Sequence, residues 1–175
     1  MKSNRLEAFS DGVLAIIITI MVLGMKVPKG ANFASLKEVL PSFISYLLSY
    51  AYVGIYWNNH HHLFQAIEKV NGKILWANLL LLFCLSLLPV FIYCINLLLC
   101  AITYTILEKI AIKHEGKDSI IGKALENKTK EYASTALYIF AIVFSLYSPL
   151  LGFIGYSIVA LIWIIPDRRI EKQLN

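Results

Sequence analysis

Charge is the first thing this chain lacks. Asp, Glu, Lys and Arg make up only 15% of its 175 residues, whereas 58% are hydrophobic and the mean hydropathy is +0.67. Water-soluble domains carry roughly 25% charged and 45 to 50% apolar residues. A fold around one aqueous core would therefore leave apolar patches facing water. The shortage excludes a soluble globular domain, and the same hydrophobicity excludes intrinsic disorder. Cysteine is scarce as well. Cys84, Cys94 and Cys100 all lie in one uncharged run, which excludes a disulfide scaffold and leaves them as small apolar residues. Heptads, low-complexity tracts and internal repeats are absent too. The solvent for this chain is the bilayer.

What the sequence does have is long uncharged runs separated by short charged islands. A helix rises 1.5 Å per residue, so about 20 apolar residues cross the hydrocarbon core. The first run covers residues 8–27 and ends at Pro28 and Gly30. Lys2 and Arg5 precede it as in a signal peptide, but no small-residue cleavage site follows and Asp11 interrupts it, so an uncleaved helix is expected. A second span covers residues 40–64, started by Pro41. Residues 74–107 then hold no charge, about 51 Å as a helix and enough for two crossings, 74–88 and 90–107, with Pro89 as the break. No Gly, Asn or Asp follows Pro89 to make the turn. Ser148, Pro149 and Gly152 divide the last uncharged run into spans 132–148 and 150–166. The expected fold is all-α, a single polytopic domain of six transmembrane helices. The largest charged island, Glu108 to Glu131, is expected to be a solvated amphipathic connector.

Six spans place both termini on one side, and the distribution of basic residues says which. Lys2, Arg5, Lys69, Lys73, Lys109, Lys113, Lys117, Lys123, Lys128, Lys130, Arg168, Arg169 and Lys172 fall on the termini and even loops. Lys26, Lys29 and Lys37 fall on the first outer loop, and the other outer loops hold none. The positive-inside rule puts both termini in the cytoplasm. The net charge of +5 thus records topology and gives no support to a nucleic-acid partner.

Polar residues at membrane depth are the functional candidates. Asp11 lies about one turn into the first apolar run. The second span ends in Trp57, Asn58, Asn59, His60, His61 and His62, and the third begins near Trp76 and Asn78. All belong to the cytoplasmic end. One reading is a proton relay or metal site of Asp11 with the histidines. Adjacent helical side chains diverge by about 100°, so three consecutive histidines cannot hold one ion. The preferred reading is a satisfied hydrogen-bond network that holds helix ends in register, with one histidine facing solvent and no metal. On the first helix, Ile16, Ile20 and Leu23 form a stripe at i, i+4, i+7, with Thr19 beside it and Gly12 one turn before. Such a stripe is ordinarily a contact with lipid or a neighbouring helix.

Arg5, the Phe9-Ser10-Asp11-Gly12 string and the aliphatic run from Val13 to Ile20 together resemble the first helix of the transmembrane protein 175 family of potassium channels, which carries an Arg-x-x-x-Phe-Ser-Asp signature. Trp57-Asn58-Asn59-His60-His61, Asn78 and Pro89 after Leu87-Leu88 are also similar to it. The resemblance implies a bacterial or archaeal multi-pass protein of the cell membrane, with one six-span repeat per subunit in a homotetramer. First helices would line the pore, and the Thr-Val-Gly-Tyr-Gly carbonyl filter of other potassium channels is missing both from the family and from this chain. Carried over by position, Ile16, Ile20 and Leu23 would form the constriction and Thr19 a selectivity layer. Arg5, Phe9, Ser10, Asp11, Trp57, Asn78 and one of His60 or His61 would brace the pore from behind. Neither enzyme activity nor a cofactor is implied, with potassium as the permeant ligand. The chain departs from the family pattern after Pro89, where a stretch of extracellular loop is expected to be missing. The rival functions are a proton- or ion-coupled secondary transporter titrating Asp11 and a histidine, and a membrane-embedded enzyme using the histidines.

Overall fold

A computed structural model describes residues 2–88 and 93–164; for Tyr93 and Cys94 only the backbone is described. Pro89, where the expected hairpin would turn, and Arg168, Arg169 and Lys172 lie outside the described residues. The helices are α1 (Ser3–Leu23), α2 (Phe33–Gln65), α3 (Gly72–Ser86), α4 (Tyr93–Glu115), α5 (Ile120–Ala124), α6 (Thr129–Ser145) and α7 (Pro149–Ile164). The fold is all-α. A lone antiparallel bridge pairs Lys2 with Lys69.

The helix starts follow local chemistry. Asn32 caps α2 by accepting the Ser35 amide at 2.9 Å, and Asn71 caps α3 by accepting the Ile74 amide at 2.9 Å. Because Asn32 supplies the start, α2 begins well before Pro41, which lies inside the helix and not at its first turn. The bilayer tolerates such a proline where side chains or water re-satisfy the freed carbonyl. α4 does not stop at the charged island either. It continues to Glu115 and ends at Gly116, whose positive φ of 97° is open to glycine and closes the helix with an amide bond to the Ile112 carbonyl. Glu108, expected in a solvated connector, is therefore buried on α4. Ile121, Ala124 and Leu125 of the island are buried as well. The connector reading fails there because the helical period carries the apolar face past the first charges.

The long helices contact one another in a closed cycle: α1 on α2, α2 on α7, α7 on α6, α6 on α4, α4 on α3, and α3 on α1. The interior is mainly apolar, built on Leu6, Leu63, Phe64, Ile74, Leu81, Leu97 and Leu107, but unlike a soluble bundle the outside is apolar too. Ser10, Ser49, His60, Asn78, Asn96, Thr103, Glu108 and Ser134 are inside, while Ile139, Phe140, Phe144, Leu150, Ile158 and Leu161 of α6 and α7 point outward. That arrangement is stable where the surroundings are hydrocarbon. α1, α2 and α4 are long and apolar enough to cross a membrane, and α3 and α7 are shorter apolar helices. The chain is a multi-pass membrane protein.

Candidate functional site

α1 has two faces of different character. Ser3, Leu6, Ser10, Leu14, Ile17 and Met21 recur every three or four residues and are buried against the bundle. On the far side Arg5, Phe9, Gly12, Ile16, Thr19, Ile20 and Leu23 are exposed, with Ile16 at 59% and Leu23 at 82%. The three aliphatic residues singled out from spacing therefore share one uncovered stripe. Thr19 lies beside it, and its hydroxyl donates to the Ile16 carbonyl at 2.8 Å. The donor is spent on the helix, so the oxygen lone pairs are what the hydroxyl can offer outward.

Polar bonds hold one end of α1 from the bundle side. The His60 Nε2–H donates to Asn78 Oδ1 at 2.7 Å, Asn78 Nδ2 donates to Ser10 Oγ at 2.9 Å, and the Ser10 hydroxyl donates to the Leu6 carbonyl at 2.9 Å. The chain of donors runs in one direction across α2, α3 and α1, and all three side chains are buried. An amide oxygen can only accept, so His60 carries its proton on Nε2. The His60 ring also stacks on Phe64, with centroids 4.4 Å apart.

A second set of bonds runs along the flank of α1. Trp57 Nε1 donates to Asp11 Oδ1 at 3.0 Å, and His61 Nδ1 donates to Glu7 Oε1. Gln65 Nε2 donates to His61 Nε2 at 2.9 Å, which leaves the His61 proton on the Glu7 side. Glu7 and Asp11 are four residues apart on α1, and Trp57 and His61 are four apart on the antiparallel α2, so the two bonds form consecutive rungs.

Of the residues expected behind the stripe, the structure thus brings together Ser10, Asp11, Trp57, His60, His61 and Asn78. Both His60 and His61 take part, where the sequence pointed to one of them. Arg5 and Phe9 are exposed on the stripe side, and among the described residues the Arg5 side chain makes no hydrogen bond or ion pair. Of the three histidines, His60 is buried, His62 is half-buried, and His61 has the more open side chain at 39% exposure. Sequence reasoning missed Glu7 and Gln65. The signal for Glu7 was its four-residue spacing from Asp11, matched to Trp57 and His61.

Several known proteins share this architecture. The family profile described as endosomal/lysosomal potassium channel TMEM175 matches residues 5–89, from the signature arginine to the proline after α3. A potassium channel of Chryseobacterium sp. (strain P1-3) is 54% identical, with 100% of this chain and 99% of that protein aligned. The alignment spans 190 positions, so that relative has residues with no counterpart here. The endosomal/lysosomal proton channel TMEM175 of Homo sapiens is 37% identical over 81 residues, covering 39% of this chain and 16% of the human protein. The crystal structure of a lysosomal potassium-selective channel TMEM175 homolog from Chamaesiphon minutus superposes with a TM-score of 0.79 at 26% identity, covering 94% of this chain and 97% of that one.

Proposed function

Because the chain belongs to the TMEM175 family, we propose that it is a potassium channel of a prokaryotic cell membrane, built as a homotetramer of six-span subunits with cytoplasmic termini. The spans would be those read from the uncharged runs, with the second starting earlier, in the part of α2 ahead of Pro41, and four copies of α1 would surround the ion path. The observation that carries this reading is the division of α1. One face is packed and tied by buried hydrogen bonds, while the opposite face, with Gly12, Ile16, Thr19, Ile20 and Leu23, is left exposed by the described residues. Thr19 on that face is better suited to a water-filled path than to lipid, and Arg5 would stand at the cytoplasmic mouth of that path.

In the assembly, rings of Ile16, Ile20 and Leu23 would close the path by dewetting. Potassium sheds its hydration shell more easily than sodium. A narrow apolar ring therefore penalises sodium more, and a neighbouring ring of Thr19 oxygens would ease the passage of a partly dehydrated potassium ion. The bonds from Trp57, His60 and His61 keep the cytoplasmic end of α1 fixed, so that widening occurs at the aliphatic rings. The work is passive conduction and calls for no catalytic group or cofactor.

Reversal potentials in planar bilayers test the reading. Wild type is expected to prefer potassium to sodium. Ile16→Asn, which wets the ring, is expected to raise the resting current and lower that preference severalfold. An unchanged preference in the asparagine variant would remove Ile16 from the constriction. The animal relatives are named proton channels, so the same recordings are made across a pH gradient. A reversal potential that follows pH and ignores potassium would make the proton the permeant ion. Saturable flux without unitary currents would point to the transporter with Asp11 and a histidine as its titrating pair.

A further inference from the structure

A partly open cavity lies between α2, α4, α6 and α7, and none of its lining residues belongs to α1. Its wall is almost wholly carbon, and five aromatic residues contribute to it: Tyr52, Tyr56, Tyr104, Tyr138 and Trp163. Glu131 is the sole acidic residue among the described lining. The rings are held in place. The Tyr52 hydroxyl donates to the Tyr156 carbonyl at 2.7 Å, Tyr56 meets Tyr104 edge-on with centroids 5.8 Å apart, and Trp163 Nε1 donates to Ser134 Oγ at 2.7 Å. A cation already uses one of these rings, since the Lys130 ammonium sits 4.6 Å from the Trp163 centroid.

An aromatic cavity with a single carboxylate selects by charge and hydration together. Ring faces attract cations, and the attraction grows when water is excluded. Potassium, sodium or a primary ammonium would lose its hydration shell here in exchange for few oxygens. An alkylated ammonium is weakly hydrated and presents carbon to a carbon wall. The size agrees: the cavity is compact, with about 40 Å³ of free space, a few times the least that holds one water. That suits a trimethylammonium head. The geometry points to a binding site for a trimethylammonium group in this cavity, held by the tyrosine and tryptophan rings and neutralised by Glu131. The group is supplied either by a free organic cation or by a choline lipid of the surrounding membrane.

The test titrates choline into the purified full-length protein in detergent, at constant ionic strength, and follows the thermal unfolding midpoint. Choline is expected to raise the midpoint in a saturable manner, and its uncharged carbon isostere 3,3-dimethylbutanol is expected to act at least tenfold more weakly. Glu131→Gln and Tyr104→Leu are each expected to raise the half-saturating choline concentration tenfold or more. Should Tyr104→Leu fail to fold, Trp163→Phe replaces it. Competition by phosphatidylcholine in mixed micelles would identify the lipid head as the source, and its failure to compete would identify the free cation; both results support the site. The proposal is overturned if choline has no effect on wild type, if the isostere acts equally, or if both variants respond as wild type does, which would place any bound choline elsewhere, the ion path included.

Discussion

The His60 imidazole, the Asn78 amide and the Ser10 hydroxyl are hydrogen-bonded in series at buried positions, and the energetic consequence lies at these single residues. Removing one partner leaves the others buried and unpaired, at about 1–3 kcal/mol for each stranded group. Asn78→Ala strands both the His60 Nε2–H and the Ser10 oxygen, so it is expected to lower the thermal midpoint in detergent clearly. Asp11→Asn disturbs a bond to Trp57, which is 48% exposed, and is expected to cost less. A larger loss from Asp11→Asn than from Asn78→Ala would mean that the half-exposed rungs, and not the buried series, hold α1. The residue types of this network were legible in the sequence because polar groups in an apolar run are conspicuous. Their partners were not. The Ser10 contact to Asn78 spans 68 positions, and sequence spacing carries no information about it. Glu7 was overlooked because it precedes the apolar run and looks like an ordinary interfacial charge.

At the scale of elements, α6 and α7 approach most closely where side chains are smallest. A Cβ placed on Gly155 would lie 2.7 Å from the Ala141 Cβ, and one on Gly152 would lie 2.7 Å from the Ser145 Cβ. In lipid, close packing of this kind takes the place of a hydrophobic driving force between helices. Gly155→Leu is expected to force the pair apart and cost about 1–3 kcal/mol, read as a lower midpoint and a lower yield of folded protein. Ala141→Gly in the same chain is expected to restore part of the loss by opening space opposite. No rescue would show that the glycine matters for backbone freedom and not for approach. Of the three residues expected at the break between these helices, Ser148 lies between the end at Ser145 and the start of α7, Pro149 is the first residue of α7, and Gly152 lies inside it. The start of α2 was misjudged because Pro41 looked like a first-turn residue, whereas the Asn32 cap outweighs it.

On the scale of the whole molecule, the closed cycle of long helices leaves the outer face of α1 uncovered, and the polar Arg5 and Thr19 stand on it. Symmetric assembly about that face would remove Thr19 from lipid and gather Arg5 at the cytoplasmic mouth. Cross-linking in native membranes, followed by mass measurement, is expected to give a species of four chains of 19.8 kDa each. Cysteine placed at Ile16 is expected to form disulfides between subunits. A monomer, or Ile16→Cys that labels only with lipid-soluble reagents, would put the stripe against the bilayer. The described lining of the cavity proposed to take trimethylammonium groups comes from α2, α4, α6 and α7, away from the stripe on α1 that this experiment probes.

Sequence alone determined the solvent, the helical class and the face of α1, because each is written in local composition and in the 3.6-residue period. A scarcity of charge rules out water, uncharged runs must become helices in lipid, and Ile16, Ile20 and Leu23 fall on one side of any α-helix. Only the tertiary structure decided what lies behind that face. Whether His60 or His61 reaches α1, whether Glu108 is inside or outside, and whether five rings from four helices line one cavity all depend on which helices become neighbours. That choice is made by packing among residues far apart in the chain, where a difference of one helical turn exchanges every partner.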